Sequence, residues 1–90
     1  MHHSEAQVKS AIEACRAFLT EEQYREVSEL NELHGEWGVA IELVADWLAD
    51  SDAKIRPQHL RLIEDAFSSM SLDPAGRTDY LRQLMAHDSK

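Results

Sequence analysis

The sequence predicts an all-α protein, a small compact bundle of four to five short helices. Apolar residues recur at steps of three and four, which places them on one face of a helix, and no segment shows strand-like alternation. Three glycines and two prolines are too few for a loop-rich β-sandwich. With 90 residues, 43% of them apolar and 29% charged, the chain has the size and composition of one globular domain.

The first predicted helix covers residues 4–19. Its apolar face consists of Val8, Ala11, Ile12, Cys15, Phe18 and Leu19. We assign residues 1–90 to one domain and expect residues 1–3 to be disordered or derived from a tag. His2 and His3 are either native or a remnant of cloning.

A capping box predicts where the second helix begins. The Thr20 hydroxyl and the Gln23 amide are spaced to satisfy free amide donors at a helix start, so the helix begins near Glu21. It ends near residues 33–34, because Gly35 readily takes the left-handed conformation that follows many helices. Its apolar stripe is Tyr24, Val27 and Leu30.

The third helix, residues 36–50, has the clearest pattern in the chain. Its predicted core stripe is Trp37, Ala40, Ile41, Val44 and Leu48. The fourth helix begins at Pro57, since proline lacks only an amide that the first turn leaves free. Its core face is Leu60, Ile63, Phe67 and Met70. After a turn at residues 73–76, a last short helix carries Tyr80, Leu81, Leu84 and Met85.

Negative charge is concentrated in one segment. The whole chain has a formal net charge of −8, which argues against direct binding to nucleic acid, because an acidic surface releases no counterions from phosphates. Residues 21–52 hold one base, Arg25, and a net charge of −9, whereas the rest of the chain has +1. The ten acids of this segment are Glu21, Glu22, Glu26, Glu29, Glu32, Glu36, Glu42, Asp46, Asp50 and Asp52.

The acids of the third helix are the first candidates for partner binding. Glu42, Asp46 and Asp50 form a column at i, i+4 and i+8, where like charges mildly destabilise a helix. One interpretation is a solvated helix surface, and the other is a site for a cationic partner that relieves the repulsion. On the second interpretation, Asp46→Lys weakens binding and leaves the fold intact. The next candidates are Glu22, Glu26 and Glu29 of the second helix.

Trp47 is a further candidate for the same surface. It lies about 80° from the centre of the core stripe and next to Asp46, so it is either peripheral core or an interface anchor.

No set of residues indicates catalysis, a metal or a cofactor. The carboxylate column has no accompanying base or glycine-containing calcium loop. The spacing of His34, His59 and His87 matches no metal motif and favours surface or capping roles. Cys15, the only cysteine, is expected in the core. Apolar runs do not exceed three residues, and we expect a cytoplasmic protein with no membrane partner.

The segment His34-Gly35-Glu36-Trp37-Gly38-Val39-Ala40-Ile41-Glu42-Leu43 resembles the MafI-type family of bacterial immunity proteins. The family pattern is a helix, an HGE turn leading into Ala-aliphatic-Glu-Leu, a loop and a further helix that ends near a methionine. The resemblance covers residues 24–72 and departs from the pattern at Trp37 and Trp47. It implies a small cytoplasmic helical protein that binds and neutralises the toxin domain of a contact-dependent or secreted polymorphic toxin, often a nuclease.

The resemblance and the charge lead to the same functional hypothesis. A nuclease domain needs a basic surface for its substrate, and an inhibitor that covers this surface needs the opposite charge. We therefore expect a non-enzymatic inhibitor of a basic toxin domain that occludes its active site or substrate groove. The alternative is a helical adaptor or regulatory module that docks a partner through an apolar groove.

Overall fold

The computed structural model describes residues 3–88 and places five α-helices and one 3₁₀ turn in that range. The elements are α1 (His3–Cys15), the 3₁₀ turn (Arg16–Phe18), α2 (Glu21–Glu32), α3 (Trp37–Asp50), α4 (Pro57–Ser69) and α5 (Arg77–Asp88). The described residues form no strand, and the all-α prediction is confirmed. Of residues 1–3, Met1 and His2 lie outside the described residues, whereas His3 is the first residue of α1 and is therefore helical.

Helix α3 lies at the centre of the bundle. It contacts the other four helices, while α1 packs mainly against α4, and α5 packs against α3 and α4. The Cα radius of gyration is 12.1 Å, the value expected for a folded chain of this length. The largest apolar side chains that are fully buried are Phe67, Ile12, Ile41, Leu48, Ile63, Leu81, Val8, Val27 and Val44.

The local signals for helix ends are confirmed. The Thr20 hydroxyl accepts a hydrogen bond from the Gln23 amide at 3.0 Å, and the Gln23 side chain accepts one from the Thr20 amide at 3.0 Å. Gly35 has a φ of +64°, in the left-handed region that glycine enters at little cost. Pro57 is the first residue of α4.

One helix boundary differs clearly from the prediction. Helix α1 ends at Cys15 and not at residue 19, because a 3₁₀ turn tightens the chain before α2 begins. The turn leaves Phe18 half-buried, with its ring edge-on to His59 at a centroid distance of 5.3 Å. Helix α5 begins at Arg77, directly after the predicted turn at residues 73–76.

Several predicted core residues lie at the edge of the core, and Tyr80 and Trp37 are two of them. Tyr80 is exposed, because the face of α5 that meets α3 and α4 is centred on the fully buried Leu81. Trp37 is half-buried and packs against the core cluster from the first turn of α3. The longest helix has 14 residues, and in residues 3–88 no helix has the length and apolar content to cross a bilayer.

Candidate partner-binding surface

The predicted carboxylate column lies on the outer side of α3. This α3 acidic column comprises Glu42, Asp46 and Asp50, and the opposite side of the helix forms the core. Glu42 and Asp46 are half-buried, whereas Asp50 is exposed. The sequence therefore predicted correctly which side of α3 carries the charge.

A cation of the same chain neutralises part of the α3 acidic column. Arg77, the first residue of α5, places its Nε 2.9 Å from Asp46 Oδ1, and its guanidinium lies 3.7 Å from Glu42 Oε2. The Arg77 side chain is only 27% exposed and also donates to the Pro74 carbonyl at 3.2 Å. The repulsion within the column is thus relieved in part inside the fold, by a contact that neither interpretation of the sequence included.

Asp46 therefore has a structural role that the sequence did not reveal. Its carboxylate accepts from both Nε and Nη2 of Arg77, and this pair joins α3 to α5. Replacing Asp46 by lysine places two cations at the contact between these helices. The expectation that Asp46→Lys leaves the fold intact does not agree with this geometry.

The second set of acids forms a separate exposed surface. Glu22, Glu26 and Glu29 lie within about 60° of one another around α2, on the side opposite the buried Val27. Leu33 follows on the same line, one turn beyond Glu29, and is 73% exposed. We call these four residues the α2 acidic face.

Six of the ten acids in residues 21–52 have no ion pair within the described residues. All three carboxylates of the α2 acidic face are among these six. By contrast, Glu32 pairs with Lys9 at 3.0 Å and Glu21 with Arg16 at 3.9 Å. The other acids without such a pair are Glu36, Asp50 and Asp52. The structure therefore separates acids engaged within the fold from acids directed at solvent.

An open groove of about 520 Å³ borders the α2 acidic face on its α1 side. Its lining includes Tyr24, whose hydroxyl donates to Glu13 at 2.5 Å and whose ring lies under the Arg16 guanidinium at 4.1 Å. The hydrogen bond to Glu13 raises the pKa of Tyr24. Across the groove, the hydrogen bond to Glu32 raises the pKa of Lys9. The groove walls are thus held by polar contacts between α1 and α2.

Trp47 lies on α3 next to Asp46 and is half-buried. Part of its side chain packs against the core cluster, and the remainder is accessible. This position suits both roles that the sequence left open, so its role as an interface anchor stays a prediction.

Two titratable side chains outside the acidic surfaces, Cys15 and His59, are held within the fold. Burial raises the pKa of the Cys15 thiol to about 11, so it is a poor nucleophile at neutral pH. His59 Nδ1 accepts from the Arg56 amide at 2.9 Å at the start of α4, which is the capping role, one of the two roles that the sequence left open for the histidines. Within residues 3–88, no three His, Cys, Asp or Glu side chains are arranged to hold a metal ion.

Sequence reasoning missed Arg77, although one signal was available. Arg77 has no acid three or four residues away within α5, whereas Arg82 has Asp79. A cation without a local partner on its own helix pairs elsewhere or stays solvated, and here it reaches a helix 31 positions back.

Comparisons with protein-family models, with curated proteins and with solved structures return no match to this chain. The charge distribution of the bundle and the resemblance of residues 34–43 are therefore the features that bear on function.

Proposed function

We propose that this protein is an immunity protein that binds one basic toxin domain, a nuclease in the simplest case, and neutralises it by occlusion. The observation that carries the proposal is the charge of the α2–α3 hairpin. Residues 21–52 have a net charge of −9. Within residues 3–88, Lys9, Arg16 and Arg77 pair with four of the ten acids of this segment. The hairpin keeps a strongly negative outer surface after these pairs are formed.

This surface suits a basic toxin domain for two reasons. Opposite charge accelerates the encounter of the two proteins, which matters for an inhibitor that must act before the toxin does. An acidic protein seated over a basic substrate groove also excludes nucleic acid by charge as well as by volume. The MafI-type resemblance of residues 34–43 supports the same class of partner. The proposal locates the encounter in the cytoplasm.

The alternative, an adaptor that docks a partner through an apolar groove, has less support. The large apolar side chains that are exposed in the described residues are Leu33, Val39 and Tyr80, which belong to the end of α2, to α3 and to α5. They are distributed over three elements, and charged and polar side chains line most of the α1–α2 groove. High salt distinguishes the two functions, because it weakens charge-steered association and spares an apolar interface.

The test uses the C-terminal domain encoded by the reading frame directly upstream. We expect this domain to be basic, to arrest growth when expressed alone, and to lose that effect when the present chain is co-expressed. The association rate of the purified pair is expected to fall steeply from low to physiological salt. An acidic domain or a salt-insensitive rate contradicts the electrostatic argument, and unrelieved growth arrest contradicts the function.

The proposal includes no reaction by the protein itself. We expect the isolated chain to show no nuclease, hydrolase or transferase activity and no metal requirement. Assays with and without divalent cations measure this directly. Metal-dependent turnover that is lost in Glu42→Gln would identify an enzyme and refute the proposal.

A further inference from the structure

We propose that the α2 acidic face, and not the α3 acidic column, is the docking surface for the cationic partner, an inference that depends on the proposed function. The partner segment that fits it is a basic helix with cationic side chains at i, i+4 and i+7 and an apolar side chain one turn further on.

The carboxylates of the two acidic surfaces differ in their availability to a partner. The carboxylates of Glu22, Glu26 and Glu29 are exposed and have no ion pair within residues 3–88. In the α3 acidic column, Glu42 and Asp46 already share Arg77. A partner that docks on α3 must compete with this internal cation, whereas a partner that docks on α2 meets free carboxylates.

The outer side of α2 is also open to a partner along its length. Helix α2 packs its inner side on α1 and α3, and no other described helix contacts its outer side closely enough to cover Glu22, Glu26 or Glu29. From Glu22 to Leu33 the face extends about 16 Å, the length of three helical turns. A single partner helix laid along α2 can therefore contact all four residues at once.

Leu33 adds an exposed apolar side chain at the end of the α2 acidic face. At 73% exposed, it is the most accessible of the large apolar side chains in the described range, and it also lines the α1–α2 groove. An apolar contact at one end of a row of charges sets the direction and the register in which a partner helix lies along α2. Electrostatic complementarity sets the rate of encounter, and burial of a side chain such as Leu33 slows dissociation.

Arg25 provides an internal check on this assignment. It lies about 60° from Glu22 around α2, on the flank that faces the groove, and is exposed. A cationic partner on the α2 acidic face meets this one unfavourable charge. Removing it should strengthen binding, and improper folding would not produce such a gain.

The experiment uses a defined probe, a synthetic helical peptide with lysines at i, i+4 and i+7 and a leucine at i+11. Its control is the same peptide with glutamates in place of the lysines. Titration of the ¹⁵N-labelled protein, followed by NMR, should shift amides of α2 around Glu26 and Leu33 more than those of α3. The glutamate peptide should cause no shifts.

Substitutions on and away from α2 test the position of the surface, and Glu26→Lys and Asp65→Lys change the net charge by the same amount. Glu26→Lys is expected to weaken binding of the lysine peptide about tenfold, and Arg25→Gln to strengthen it about threefold. Asp65→Lys, an exposed site on α4, is the matched control and should stay within about threefold of the wild type. Leu33→Ala should weaken binding about fivefold through faster dissociation.

Three outcomes overturn the inference: no binding of the lysine peptide, shifts centred on α3 or α4, or equal losses in Glu26→Lys and Asp65→Lys. These results are independent of the growth test, because no toxin domain is present. If growth is rescued but the peptide does not map to α2, the function stands and this surface is wrong. If the peptide maps to α2 and growth is not rescued, the surface stands and the toxin assignment is wrong.

Discussion

Arg77→Ala and Asp46→Ala, made singly and together, test whether the Arg77–Asp46 pair holds α5 on α3. In the structure Arg77 makes a bidentate contact with Asp46, lies 3.7 Å from Glu42, and donates to the Pro74 carbonyl. Exposed pairs contribute about 0.2 to 1 kcal/mol, and the limited exposure of Arg77 places this one near the upper end of the range. We expect a coupling energy of about 1 kcal/mol between the two substitutions.

Arg77→Ala alone should lower the free energy of unfolding by more than the coupling energy of the Arg77–Asp46 pair. It also removes the contact with Glu42 and the bond to Pro74, and it leaves two carboxylates one turn apart on α3 without their shared cation. We expect a loss of about 2 kcal/mol in the free energy of unfolding, with a fall in melting temperature of about 10 °C. Asp46→Lys should be similarly destabilised, because it places a second cation beside Arg77.

Urea denaturation followed by far-UV circular dichroism, at low and at high salt, measures these energies. The control is Arg82→Ala, since Arg82 pairs with Glu64 and Asp79 at a more exposed position on α5. Its cost should stay below about 1 kcal/mol. A coupling below about 0.3 kcal/mol, or equal losses for the two arginine variants, would refute the assignment of Arg77 as the contact that secures α5.

Three further predictions concern single residues. Thr20→Ala removes the hydroxyl that caps α2 and should cost about 1 kcal/mol in urea denaturation, with Thr20→Ser close to the wild type. Ala75→Gly should stabilise the protein by about 0.5 to 1 kcal/mol, because Ala75 has a φ of +55°, and a loss would show that this turn carries no strain. Because burial raises the pKa of Cys15 to about 11, a thiol reagent at pH 8 should label it only when the protein unfolds, and labelling as fast as in urea would contradict this.

The acidic surfaces were only partly predictable. Helical spacing alone placed Glu42, Asp46 and Asp50 on one side of α3 and Glu22, Glu26 and Glu29 on one side of α2. The spacing does not show which of these charges are matched elsewhere in the fold. Arg77, the partner of Asp46, is 31 positions away in the sequence, and the two residues meet only because α5 packs against α3 in the folded bundle.

The sequence by itself determined the all-α class and most helix ends, because these depend on neighbours within a few positions. Thr20 and Gln23 cap α2, and Gly35 follows that helix. Pro57 begins α4. Each of these signals acts through residues that are close in the sequence. Tertiary structure decided which faces meet. Helix α1 ends at Cys15, Tyr80 is exposed to solvent, and Arg77 pairs with the acids of α3. Helical spacing does not predict these features, because packing and charge pairing between helices depend on how distant segments are arranged in space.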